Sequence, residues 1–194
     1  MEKTPSDGPP AKAGAVTRAN CVTNIGLRDH QRAIQSHERA LEITQRIGDR
    51  YGEAQTLGGL GNAYANLGQH EKAIEFYDRE LKIVQELGAR RIEANALGNL
   101  GVLHRQLGNF QKSVGFLKPA LDIHREVGDR HGEALSLWNL ALAELHLGNR
   151  AEAIQQAEHA LHLFEAIQSP QAPRIKQQIA EWRAGTVSTS APSP

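Results

Sequence analysis

Residues 48–88 read GDRYGEAQTLGGLGNAYANLGQHEKAIEFYDRELKIVQELG, and the fold follows from this stretch. In its first half Leu57, Leu60, Gly61 and Tyr64 recur at helical spacing. In its second half Ala73, Tyr77, Leu81 and Val84 do the same, and Gly68 stands at the break between them. The pattern predicts a helical hairpin. Two helices cannot bury both of their apolar faces against each other, so the hairpin needs neighbours of its own kind.

The rest of the chain supplies them. A shift of 40 residues aligns Gly68, Gly108 and Gly148; Gly48, Gly88 and Gly128; Arg50, Arg90 and Arg130; and Glu53, Glu93 and Glu133. It also aligns Ala54, Ala94 and Ala134; Leu57, Leu97 and Leu137; Leu60, Leu100 and Leu140; and Leu67, Leu107 and Leu147. In the second helix Leu41, Leu81, Leu121 and Leu161 share a column, as do Ile34, Ile74, Val114 and Ile154. No segment alternates with period two, so no strands are expected. A two-helix unit repeating every 40 residues predicts an all-α, right-handed α-solenoid of antiparallel helix pairs. Helices are expected at about 51–67, 70–87, 91–107, 110–127, 131–147 and 150–167. Repeats therefore span 48–87, 88–127 and 128–167, preceded by a half repeat at 29–47. Pro119 falls inside the 110–127 helix, where it predicts a kink rather than a helix end.

Shifted back one period, the core columns meet Thr17, Asn20, Cys21 and Asn24, and only Leu27 stays apolar. Residues 14–28 read as a degenerate first helix, frayed or serving as a polar cap, which leaves Ile34, Leu41 and Ile47 poorly covered. At the other end Ser169-Pro170 reads as an N-cap followed by proline at the first helical position. Ile175, Ile179 and Trp182 then form one apolar stripe on a capping helix at 171–184. The solenoid with its cap thus covers 29–184. The Pro- and Ser-rich ends, 1–13 and 185–194, read as disordered tails.

Composition narrows the function. Lys+Arg 22 balances Asp+Glu 22 at a pI near 7.1, which gives no basic face for nucleic acid. Cys21 is the single cysteine, so no intrachain disulfide is possible. No apolar run reaches the ~20 residues of a membrane span, and the first residues lack a signal-peptide core; a cytoplasmic location is expected. His124, Asp129, His131 and Glu133 resemble a metal cluster when read linearly, but His124 shares a column with Val84 and Phe164, and Glu133 with Glu53 and Glu93. They are repeat positions, and no metal is expected. His159 and His162 lack a third ligand, and Cys21 lacks a neighbouring base. No catalytic residue and no cofactor are expected.

Leu57-x-x-Leu60-Gly61-x-x-Tyr64 followed by Ala73-x-x-x-Tyr77 resembles the tetratricopeptide repeat (TPR) pattern, with leucine in place of its tryptophan. The 40-residue period and Leu60-Gly61-Asn62-Ala63-Tyr64 resemble the longer-helix subclass found in Pins/LGN-type polarity scaffolds, kinesin light chains and bacterial signalling proteins. Its tyrosine column changes to His104 and Glu144 in the later repeats. The resemblance implies a non-catalytic adaptor whose first helices line a concave groove that holds an extended segment of a protein partner. By register, the groove residues are Gln55, Asn62, Asn66, Asn95, Asn99, Arg105, Trp138 and Asn139. The amides can donate to and accept from a peptide backbone, Arg105 can pair with a carboxylate, and Trp138 can serve as an anchor. Asn62 and Asn99 fit the asparagines of the chaperone-binding carboxylate clamp, but Gly58, Leu135 and Asn139 stand where its cations belong, and this function is disfavoured. The alternatives are a scaffold that self-assembles weakly through its incomplete N-terminal repeat, or the sensor arm of a larger signalling regulator. Neither nucleic acid nor membrane is an expected partner.

Overall fold

The computed structural model describes residues 13–185, with side chains described from residue 30 onward. Eight helices account for the described residues: α1 (Ala13–Ile47), α2 (Arg50–Asn66), α3 (His70–Glu86), α4 (Arg90–Gln106), α5 (Phe110–Glu126), α6 (Arg130–His146), α7 (Arg150–Ala166) and α8 (Ala172–Ala184). Each helix packs on the next in the chain, and α4 also touches α6 directly. This is an all-α helical-repeat solenoid, with α2, α4 and α6 along one side. Of the expected tails at 1–13 and 185–194, residues 1–12 and 186–194 lie outside the described residues, while Ala13 opens α1 and Gly185 is the C-cap of α8.

The helix ends are set by one device used repeatedly. Gly68 adopts φ +71°, and the next residue, Gln69, donates its N–H back to the Tyr64 carbonyl at 2.9 Å. A left-handed residue at this position closes the helix and satisfies a carbonyl that would otherwise be orphaned. The same backward bond recurs at Asp49, Ala89, Asn109, Asp129 and Asn149. Asp49 and Asp129 also accept from the N–H groups of Gly52 and Gly132 at 2.9 Å, capping α2 and α6.

Within each repeat the small column faces a residue of complementary bulk. A β-carbon at Gly61 would come within 2.6 Å of the Tyr77 ring, and one at Gly101 within 2.5 Å of Leu117. In the third repeat the pair becomes Ala141 and Ala157, both fully buried. The aromatic column behaves similarly: Tyr64 stacks on Phe76 and His104 on Phe116, at 5.2 and 5.3 Å. Glu144 instead accepts a hydrogen bond from Asn149 at 2.7 Å.

The glutamate column joins successive repeats. Glu53 accepts from Gln45, Glu93 from Gln85, and Glu133 from Arg125. Arg50 bridges Glu53 to Glu86, and Arg90 repeats the bridge between Glu93 and Glu126. These pairs are solvent-facing on the arginine side and fix register more than they stabilise.

The two ends depart from the sequence reading. At the N-terminus α1 is one continuous helix from Ala13, with no turn before residue 29 to start a separate hairpin. Ile34 is buried with Leu60 and Ala63, contrary to the expected poor cover, because α2 closes over it. Leu41 is partly covered, whereas Ile47 remains 66% exposed. At the C-terminus α8 begins at Ala172, and the proline in its first turn is Pro173. Ser169 and Pro170 form the preceding turn instead: the Ser169 hydroxyl accepts from the Gln171 N–H, and its carbonyl from the Ala172 N–H. The expected stripe is intact, with Ile175, Ile179 and Trp182 all buried in the largest core cluster. Helix α5 runs through Pro119, so that residue is not a helix end. The carbonyl deprived of its donor belongs to Gly115, which is exposed to solvent and can be hydrated there.

Candidate functional site

A groove of about 550 Å³ runs along α2, α4 and α6. Five of the residues expected from the sequence line it: Gln55, Asn62, Asn95, Asn99 and Asn139. They come together because side chains three and four residues apart share a helix face, and the 40-residue register lays those faces side by side.

The five amides are not equivalent. Asn62 Oδ1 accepts from the Tyr77 hydroxyl at 2.6 Å, and burial together with Glu80 raises the pKa of that hydroxyl. Asn139 Nδ2 donates to the Leu135 carbonyl at 2.9 Å, one turn earlier. Gln55, Asn95 and Asn99 make no side-chain hydrogen bond to other described residues, and Gln55 and Asn95 are exposed. The unengaged part of the row is therefore its α2–α4 portion.

The other three expected residues do not line this groove. Asn66 is exposed at the last position of α2. Trp138 stacks on Trp182 with parallel rings whose centroids are 5.5 Å apart, so one of its faces is covered by the capping helix. Arg105 is half-buried, its Nε has no hydrogen-bond partner, and burial lowers its pKa. Desolvation without a carboxylate nearby is the physical cause.

The groove also contains residues the register alone does not mark. Ile92 adds apolar wall beside Val102 and Leu135, which the register does place on this face, and Ser136 is buried within it. His124 lies at one side with its Nδ1 3.4 Å from Asp129 Oδ2, and burial lowers its pKa. Glu80 of α3 is the least expected: it is 5% exposed, and its Oε2 is buried without a partner. Burial pushes its carboxyl up to about 8. The sequence carried a signal for it, since the same column holds Ala40, Ala120 and Ala160. Among the described residues no lysine or arginine lines the groove.

The residues of the linear His/Asp/Glu pattern go to different partners. Glu133 pairs with Arg125, His131 meets Phe164 edge-on at 6.2 Å, and His124 faces Asp129. Among the described residues no group of three or more His, Cys, Asp or Glu side chains is arranged to hold a metal ion. No helix of the described residues is long and apolar enough to cross a membrane.

Comparison with known proteins places these features. The tetratricopeptide repeat profile matches residues 21–86 and 92–166. Among solved structures the chain is similar to the apo form of RapI, with a TM-score of 0.73 at 17% identity over 82% of this chain and 45% of that one. A Rap protein complexed with competence and sporulation factor aligns with a TM-score of 0.70 at 17% identity, over 85% of this chain and 47% of the other. The nearly identical TPR-like repeats of a kinesin light chain from Podosopora anserina align with a TM-score of 0.60 at 16% identity, over 88% and 97%. The chain spans about half the length of the Rap structures, and at these identities the likeness is one of fold. No curated protein matches it in sequence.

Proposed function

The chain belongs to the tetratricopeptide repeat family, and on that premise we propose that it is a non-catalytic adaptor holding an extended segment of a partner protein in the groove of α2, α4 and α6. The observation that carries this reading is the set of unengaged amides, Gln55, Asn95 and Asn99, on a recessed surface with apolar wall beside them. An asparagine or glutamine side chain has both a carbonyl acceptor and an N–H donor, which matches the two groups a peptide backbone presents at each residue. An extended segment has unsatisfied groups along its whole length, so a row of amides at fixed spacing can hold it whatever its side chains are. Side-chain selectivity then comes from the wall and from whatever charge the groove offers. In support, a Rap protein that shares this fold over 47% of its length is complexed with competence and sporulation factor. The absence of lysine and arginine from the lining argues against a terminal carboxylate as the main point of attachment.

The test is a displayed library of random 12-residue peptides, panned on the full chain and on a Gln55→Ala/Asn95→Ala/Asn99→Ala variant. Each lost hydrogen bond is worth ~0.5–1.5 kcal/mol net, so peptides selected on the wild type are expected to bind the variant about tenfold or more weakly. Thermal stability should not change, because these side chains make no side-chain hydrogen bond among the described residues. Equal capture by both proteins would remove the groove from the account.

A further inference from the structure

Most of the groove is neutral, and its one carboxylate is the group least easily explained by folding. Glu80 stands in a column that is otherwise alanine, and Ala120 and Ala160 are fully buried there. The solenoid therefore packs at this position without a polar group. Replacing a buried methyl by a carboxylate brings a desolvation cost unless a cation or donors compensate it. None does among the described residues: Oε2 is buried without a partner there, and no charged group among them offsets the effect of burial on its ionisation.

The position opposite Glu80 is also unusual. The side-chain direction of Gly58 points at the Glu80 carboxylate, and a β-carbon there would clash with Oε1. At the next repeat the matching glycine, Gly98, has nothing within 4 Å of that direction, because an alanine stands beneath it. Gly58 and Glu80 thus form a notch in the groove floor with a carboxylate at its base, and both residues line the groove.

We propose that this notch is a recognition point for a cationic side chain, an arginine or lysine of the bound extended segment, seated past Gly58 on the Glu80 carboxylate. The inference rests on the groove reading above and adds the chemistry of one ligand side chain. Charge complementarity selects the occupant: among the described lining residues Glu80 is the sole carboxylate, and no lysine or arginine there competes for it. A guanidinium offers two parallel N–H donors to a carboxylate, and an ammonium offers three donors on a long flexible stem. Either supplies the charge and the hydrogen bonds that the fold leaves out. The glycine matters because any side chain at 58 would fill the approach. The carboxyl held up near 8 in the free protein would ionise fully on meeting the cation, releasing a proton at neutral pH.

The peptides recovered by panning provide the probes. Arginine or lysine should be enriched at one register position on the wild type and not on Glu80→Gln, a change of the same shape that removes the ionisable carboxyl. One cationic peptide and its norleucine counterpart are then titrated calorimetrically against both proteins. Norleucine is expected to weaken binding to the wild type about tenfold or more and binding to Glu80→Gln less than twofold. Peptides that depend on Gln55, Asn95 and Asn99 but show no cationic preference would overturn the inference and leave the groove reading standing. Norleucine weakening binding by the same factor on both proteins would overturn it in the same way. Failure to recover any peptide that depends on those amides would overturn both.

Discussion

Trp182→Ala is expected to lower the stability of the chain by about 3–5 kcal/mol, the range for deleting a large aromatic from a packed core. Trp182 is 1% exposed and lies with Ile175 and Ile179 on the buried face of α8, against α7. Its ring also covers Trp138 of α6, 5.5 Å away. Truncation therefore removes a side chain from the largest core cluster and uncovers a second indole. In a solenoid each repeat is stabilised mainly by its neighbours, so the loss should be concentrated at the C-terminal end. Urea unfolding followed by helical circular dichroism should show an earlier and broader transition as α6–α8 separate from the rest. The chain has two tryptophans, and both belong to this pair. In Trp182→Ala the fluorescence of Trp138 should shift to the red before unfolding begins. An unchanged transition would mean that α8 does not seat on the repeats in solution.

Glu80→Ala is expected to stabilise the protein, increasingly so as pH rises. The carboxyl has an ordinary value of 4.5, and burial holds it at about 8 in the folded chain. Below pH ~4.5 it is protonated whether folded or unfolded, and contributes no pH dependence. Between ~4.5 and 8 the unfolded chain ionises while the folded chain keeps its proton. The unfolded state then binds fewer protons, so stability falls with rising pH, and the full penalty is reached above 8. At ~1.4 kcal/mol for each unit of difference, the penalty is on the order of a few kcal/mol. The alanine variant lacks this slope and matches the residue found at 120 and 160. Urea denaturation at pH 5 and pH 8 should show a gap between the two proteins that widens with pH. Parallel profiles would mean that the carboxylate is solvated in the folded state.

These two residues mark how far the sequence could be read. The helix pairs were legible because the register repeats: each helix from α2 to α7 begins and ends within one residue of its expected position. The expected stripe of Ile175, Ile179 and Trp182 was legible for the same reason, as one face of one helix. The start of α8 also falls within one residue of its expected position, but its cap was misassigned, because Ser169-Pro170 satisfies both an N-cap pattern and a turn, and only the placement of Pro173 in the first turn decides between them. Ile34 read as uncovered because the expected loss of a preceding helix obscured the cover that α2 provides.

The groove was legible as a row of amides, since first-helix positions project to one side in every repeat. Its floor was harder to read. Glu80 is on a second helix and reaches the groove only because Gly58 leaves room, a relation between two columns in different helices. Trp138 fell in the correct column for a groove residue, yet its ring is partnered by α8, which the repeat register does not include.

The central claim, that a partner segment lies along α2 and α4 in an extended form, is tested most directly by photo-crosslinking. A peptide selected by panning would carry benzoylphenylalanine at successive positions, and the labelled residues of the full chain would be mapped by mass spectrometry. Labels should fall around Gln55, Asn62, Asn95 and Asn99, moving steadily from one helix to the next as the photoreactive position moves along the peptide. Labels on the exposed outer side of α3 and α5, around Lys82 and Lys118, would contradict it.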